Sequence, residues 1–416
     1  MDSKRLTILV YSVLAVFGII VVFACFRMFE KKNSSDIKDD PYTPNDVKVD
    51  SFTYSFLKLE AKNKNFIYSP ISIKYALSML KEGANGNTYD EINKLIGDLP
   101  LTKYENIDKV LSLANSVFIR DRYKKYVLDS YIKTLKDNYS AEVIYDKFKD
   151  ATNVNNWIAN KTFNIIQNML SDSYFENDNL EMILINALAI DMEWQVQFEG
   201  SNTHGATFTK ENGEEVQAAM MYNETEYFYK YYQDDNYSAV SMPLKNYSGT
   251  ELEFIAILPE KTDLKTFITS DDFDSKLESI LNSISKFNGK IAVSIPRFEY
   301  NYSIKLTDEL KTLGINDAFT LKADFSKMSK SELYVGDVLH KADIKFSEEG
   351  IKAAAATVIL MVDKSSMEDP VETKRLTFDR PFMYIIRDKN SKEVWFTGTV
   401  YEPVLWKDVK DDYEYR

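Results

Sequence analysis

Apolar and polar positions divide the chain into three stretches. Leu6 to Phe26 is unbroken apolar sequence. Residues 30–48 are polar, hold two prolines and show no hydrophobic period. From Ser51 onward apolar residues recur with helix or strand spacing. Phe52, Phe56 and Leu59 follow the helical period, and Phe66 to Tyr68 reads as a short strand. Ser69 and Pro70 supply a cap and a first-turn proline for a helix whose stripe runs through Ile73, Leu77 and Leu80. The run from Gly83 to Thr88 ends it, and Thr88 with Glu91 has the spacing of a capping box for the next helix. Leu113 to Arg120 is a strand and Asn155 to Leu170 a helix. Met182 to Trp194 is apolar enough for a central strand. Residues 215–260 and 290–300 are rich in strand formers. Ser303 to Leu313 is helical and closes at Gly314, and Leu333 to Phe346 is again strand. Phe382 to Ile386 and Val394 to Val400 form a strand pair around a turn at Asp388 to Ser391. Helices first and strands later predict an α+β architecture.

One segment resists this reading. Phe346 to Thr357 carries Glu348, Glu349 and Gly350, then Ile351, Lys352 and the alanines Ala353, Ala354, Ala355 and Ala356. Alanine with charged neighbours favours helix. The continuation through Val358, Ile359, Leu360, Met361 and Val362 favours extended structure. The segment suits either a short buried helix or a piece of chain that changes its secondary structure.

Composition narrows the chemistry. The chain has 416 residues, 44% hydrophobic and 28% charged, with only 13 glycines and 10 prolines, so a single large domain is expected after residue 48. A net charge of -13 argues against a nucleic-acid surface, which needs clustered Lys and Arg, and no nucleic-acid partner is expected. With two histidines and one cysteine, an internal disulfide is impossible and a Cys/His zinc site nearly so. No nucleophile-elbow, zinc-protease or phosphate-loop motif occurs, so no catalytic residues and no cofactor are expected.

Leu6 to Phe26 would span about 31 Å as a helix, the thickness of a bilayer core. Three readings stay open: a transmembrane signal anchor, a lipoprotein signal ending at Cys25, or a cleaved signal peptide. Each takes the body of the chain out of the cytoplasm. The expected organisation is a membrane or signal segment at 1–29, a flexible polar tether at 30–48, one domain at 49–404 and a polar tail at 405–416.

Taken in order, a set of short motifs resembles the serpins. They are Asn65 with Ser69, Pro70 and Ser72; Gly83-Ala84 with Gly86 and Thr88; Asn155 with Trp157; Asn186-Ala187, Trp194 and Phe198; Leu258-Pro259; Leu313-Gly314; Ala323 to Ser326; His340-Lys341-Ala342; Phe378 to Phe382; Phe396 to Gly398; and Pro403. The resemblance covers nearly all of residues 50–404. It departs at Ala189, where the family usually has a large aromatic, and at Ile351, where Thr or Ser is usual.

The resemblance implies three β-sheets, a large central sheet and an exposed reactive-centre loop at about 348–377. A protease cuts this loop and its upstream half enters the sheet, a form of strand addition of which serpins are themselves an instance. Fourteen residues after Gly350 stands Lys364, so the implied reactive bond is Lys364–Ser365, with Lys374 and Arg375 as alternative basic sites. Lysine before the cut suits a trypsin-like protease.

The resemblance also implies a hinge at Glu348 to Thr357 and a polar shutter of Ser69, Ser72, Asn186 and His340, with the histidine bridging the sheet. It implies a breach at Trp194, Arg297 and Glu348. Strand alternation sends Ile351, Ala353, Ala355, Thr357, Ile359 and Met361 to one face, and none is charged. No proline interrupts Gly350 to Lys364. The implied protein is a monomeric suicide-substrate inhibitor that forms a covalent complex outside the cytoplasm. A non-inhibitory carrier or chaperone of the same fold is the alternative.

Overall fold

The computed structural model describes residues 49–97, 103–351 and 371–410. Leu6 to Phe26, the whole tether at 30–48, hinge residues Lys352 to Thr357 and the bond at Lys364–Ser365 lie outside them. Among the described residues no helix is long and apolar enough to cross a membrane. Pro44–Arg416 is one compact unit.

The chain opens with helices α1 (Ser51–Leu59), α2 (Pro70–Gly83) and α3 (Gly86–Ile96), with strand β1 (Phe66–Tyr68) between the first two. Next come β2 (Leu111–Arg120), α4 (Asp129–Tyr139), β3 (Glu142–Asp146), α5 (Thr152–Lys161), β4 (Met182–Ile190) and β5 (Met192–Glu193). Strands then dominate: β6 (His204–Thr209), β7 (Glu215–Thr225), β8 (Lys230–Gln233), β9 (Tyr237–Pro243) and β10 (Leu252–Pro259). After α6 (Leu264–Thr269) and α7 (Phe273–Ser283) follow β11 (Lys290–Pro296), β12 (Phe298–Lys305), α8 (Thr307–Thr312), β13 (Leu339–Phe346) and β14 (Gly350–Ile351). The chain closes with β15 (Thr373–Thr377), β16 (Phe382–Asp388), β17 (Val394–Val400) and α9 (Trp406–Val409).

Pairing gives ladders in the orders β1-β17-β16-β10-β9-β8, β15-β11-β7-β6, β12-β13-β14-β5 and β3-β2-β4. The last two are halves of one large sheet, because only Asp191 separates β4 from β5. That sheet is parted along its lower length: among the described residues no ladder joins β4 to β13.

Beneath it Phe346 stacks on Phe298 at 4.5 Å and meets Phe254 at 4.7 Å and Trp194 at 5.1 Å. These rings belong to one continuous core with Leu188, Ile190, Met192, Ala342 and Ile344. On the opposite face α5 covers a second cluster with Ala187 and Ile185.

Ser69 caps α2 as its sequence predicts, accepting from the Ser72 amide, with Pro70 in the first turn. Other elements differ from expectation for local reasons. The capping box at Thr88 and Glu91 does not form, because α3 already starts at Gly86. Thr88 Oγ1 instead accepts from Asp324 N at 2.9 Å, and Glu91 accepts from the amides of Asn316 and Asp317. The helix expected to reach Leu170 stops at Lys161, where Phe163 and Asn164 turn the chain with φ of 52° and 62°. Ser303 to Lys305 belongs to β12, so the expected helix is only α8. The strand predicted from Leu333 begins at Leu339. The expected polar tail supplies α9, which docks on β6 and β7.

One charge pair lies inside the six-stranded ladder. Arg387 and Glu253 face each other across β16 and β10, with Nε 2.8 Å from Oε1, and both are buried. Ser241 Oγ donates to the other Glu253 oxygen at 2.6 Å. Burial pushes the Glu253 pKa up, but Arg387 and Ser241 outweigh it and hold the group below the usual carboxylate range. Removing one partner strands a buried charge. Arg387→Met is therefore expected to lower urea-unfolding stability by about 3–5 kcal/mol, and adding Glu253→Met should recover most of that loss.

Candidate functional site

The hinge begins inside the large sheet. Gly350 pairs with Glu193, and Ile351 pairs with Met192 on one side and Phe346 on the other. Ile351 is buried in the aromatic core. Gly350 fits because it has no side chain: a Cβ there would lie 2.1 Å from Met192 O and 2.7 Å from Glu193 Cα. The turn before it is held by Ser347, whose amide donates to Gly350 O at 3.0 Å.

Around this seat lies the group expected as a breach. Trp194 is buried, and its indole Nε1 donates to Ser347 O at 2.8 Å. The amides of Trp194 and Phe198 donate to the carbonyls of Glu349 and Glu348, each at 3.0 Å. The Glu348 carboxylate accepts from Thr203 Oγ1 at 2.7 Å, and Arg297 Nε stands 3.8 Å from its Oε2. Glu348 is only 7% exposed, so this contact differs from a solvated surface pair of little energy. Sequence reasoning missed Thr203, which carries no motif of its own; only the pairing of β6 with β7 brings it to the hinge.

Below Ile351 the sheet opens into a narrow cleft. Leu188, Ala189 and Ile190 of β4 form one wall, Asp343 and Ile344 of β13 the other, and Ile351 closes the head. Ile165 and Ile166, just beyond α5, also line it, as do Ile67, Ile386 and Phe396. Ala189 stands where the resemblance expects a large aromatic, and its small side chain widens this space.

The polar residues expected as a shutter flank the cleft without closing into one network. Ser69 N donates to His340 Nε2 at 3.1 Å, and Ser72 N donates to Ser69 Oγ at 3.1 Å. Asn186 Nδ2 donates to Asn115 Oδ1 at 2.8 Å, and Asn115 donates in turn to Tyr139 O at 2.8 Å. Among the described residues no hydrogen bond joins His340 to Asn186, and the Asn186 Oδ1 is buried without a partner. The histidine thus ties β13 to the start of α2; the expected bridge across the sheet is not made. The parted strands explain this, since β4 and β13 do not come into register at this level.

The residue set resolves into a family. The serpin model, described as serpin (serine protease inhibitor), matches residues 48–403, and the chain belongs to the serpin family. It is 29% identical to chicken (Gallus gallus) neuroserpin over 387 residues, covering 87% of this chain and 92% of that protein. A serine protease inhibitor of the jellyfish Cyanea capillata is 28% identical over 372 residues, with 84% and 95% covered. Among solved structures, the thermophilic serpin Tengpin in its native state superposes with a TM-score of 0.72 at 29% identity, covering 88% of this chain and 95% of that one. Serpins are in general protease inhibitors and not enzymes.

Two outcomes follow from this geometry. Burial pushes the His340 pKa down from 6.5 to about 4. The neutral ring accepts from Ser69 N, and a protonated ring cannot. The folded pKa is below the unfolded one, so the contribution of His340 is complete above pH ~6.5 and is lost as pH falls toward about 4. Urea titrations at pH 7.5 and pH 4 should show the parent losing on the order of 3 kcal/mol more than His340→Gln. Separately, Gly350→Ala has no room against the β5 backbone. It should unseat the hinge and speed amide exchange at Trp194 at least tenfold, measured by hydrogen–deuterium exchange.

Proposed function

We propose that this serpin is a suicide-substrate inhibitor of a trypsin-like serine protease, cleaved at Lys364–Ser365. The observation that carries the reading is the seat of Ile351 at the head of an open cleft. Extending the register of β14 sets Ala353 between Ile190 and Ile344, and Ala355 between Leu188 and Ala342. It sets Thr357 between Asn186 and His340. These partners lie on the core side of the sheet, and the arriving residues are small or uncharged, so their burial is cheap. Lys352 takes the opposite face, between Asp191 and Lys345.

The protease serine would attack the Lys364 carbonyl carbon. The Ser365 nitrogen would leave as an amine after taking up the proton given up by the protease serine's hydroxyl, giving an ester between protease and loop. Insertion of the upstream segment then carries the tethered protease away and distorts its site before water completes hydrolysis. The catalytic groups are all the partner's. The parted sheet supplies the driving force, because a new central strand satisfies two rows of backbone donors and acceptors at once. In this reading Leu6 to Phe26 exports the domain, and the inhibitor works as a monomer outside the cytoplasm, anchored or released.

Incubation with trypsin should give a complex that survives boiling in SDS, and mass spectrometry should find a C-terminal fragment beginning at Ser365. Lys364→Ala should slow complex formation with trypsin at least a hundredfold. Conversion to cleaved product alone, with no covalent species across a panel of trypsin-like proteases, would overturn the reading in favour of a non-inhibitory serpin.

A further inference from the structure

The grip on Glu348 depends on a segment beyond the family match. The serpin model ends at Pro403, yet the chain continues into the structured helix α9. Val404 N donates to Arg297 O at 2.8 Å and Val404 O accepts from Ala219 N at 2.9 Å, while Arg297 N donates to Ala219 O at 2.8 Å. Leu405 bridges to Ala218. These bonds close a ring around the backbone of Arg297, whose guanidinium faces Glu348.

The next residue reaches the other partner. The Trp406 indole lies against Gly205 so closely that a Cβ there would fall 2.7 Å from its Cδ1. Gly205 is two residues from Thr203, the hydroxyl donor to Glu348. Thus each of two adjoining contacts of residues 404–406 ends one short step from a group that holds the hinge carboxylate.

We propose that residues 404–409 are a strap that positions Thr203 and Arg297 and so sets how readily the hinge leaves its seat. Its bearing on protease trapping rests on the inhibitor reading; its effect on the hinge does not. Trp406 is a positioning residue that touches neither hinge nor protease. The strap opposes early release, because Glu348 loses an oriented donor and an oriented cation when β6 and β7 loosen. Gly205 is the matching half of the device, since any side chain there displaces the indole.

The test uses the whole chain as Trp406→Ala and a second version ending at Val404. Hydrogen–deuterium exchange is read at the amides of Trp194 and Phe198, which donate to the hinge carbonyls, with Ile385 and Phe396 in β16 and β17 as reference. Both variants should exchange about tenfold faster at Trp194 and Phe198, with the reference amides unchanged. Unchanged protection at the hinge amides overturns the proposal. So does acceleration spread evenly over the reference strands, which marks general destabilisation. In trypsin assays the variants should need more inhibitor per protease trapped than the parent. A parent that traps no protease sinks the inhibitor reading, while the exchange result still decides the strap.

Discussion

Two strands of one sheet lie side by side without pairing, and much of this fold is arranged around that fact. Below Ile351, β4 and β13 are inner edges of the same sheet, each with backbone donors and acceptors that a neighbouring strand would satisfy. Exposed edges are usually blunted by charge, proline or a covering element. Here the gap is lined by Leu188, Ile190 and Ile344 and has apolar residues on both faces. The aromatic cluster of Phe254, Phe298 and Phe346 under β12 and β13 fixes one wall as a rigid body. The pairing of β4 with β2 over nine residue pairs fixes the other.

The head of the gap must meet opposing demands. Under the inhibitor reading, Gly350 and Ile351 have to be held firmly enough to keep the two walls joined above the cleft, while the segment that follows has to extend the ladder after cleavage. Backbone bonds from Trp194 and Phe198, the Ser347 turn and the Glu348 contacts supply the hold. All lie on the N-terminal side of Gly350.

Much of this was legible in the sequence, for identifiable reasons. Ser69 with Pro70 marks a helix start by chemistry that acts within one turn, and the structure has it. Phe382 to Ile386 and Val394 to Val400 are rich in strand formers and buried along their whole length, and those strands pair as expected. Failures occurred where a local signal had a distant use. Thr88 and Glu91 have capping-box spacing but bind the 316–324 segment, which no local rule could reveal. The end of α5 rests on left-handed residues, Phe163 and Asn164, of which phenylalanine gives no warning. Thr203, the unmade bridge between His340 and Asn186, and the docking of Trp406 on Gly205 depend on which strands are neighbours. Arg297 and Glu348 could be named beforehand only because the resemblance carried that proximity with it.

Register gives the seated Ile351 a further importance. Side chains alternate along a strand, so a slip of one residue exchanges the faces of everything that follows. With Ile351 fixed between Met192 and Phe346, the odd-numbered residues of an entering segment meet the core and Lys352 meets the opposite face. A one-residue slip would set Lys352 between Met192 and Phe346, in the packing of Trp194 and Phe254, where an ammonium has no partner and its desolvation is costly. The isoleucine that departs from the family's usual Thr or Ser makes the correct register more favourable still, because it buries a larger apolar side chain at the first position. Under the inhibitor reading, the choice of face is made in the uncleaved molecule, by two residues already in the sheet. Cleavage then releases a strand whose register is set.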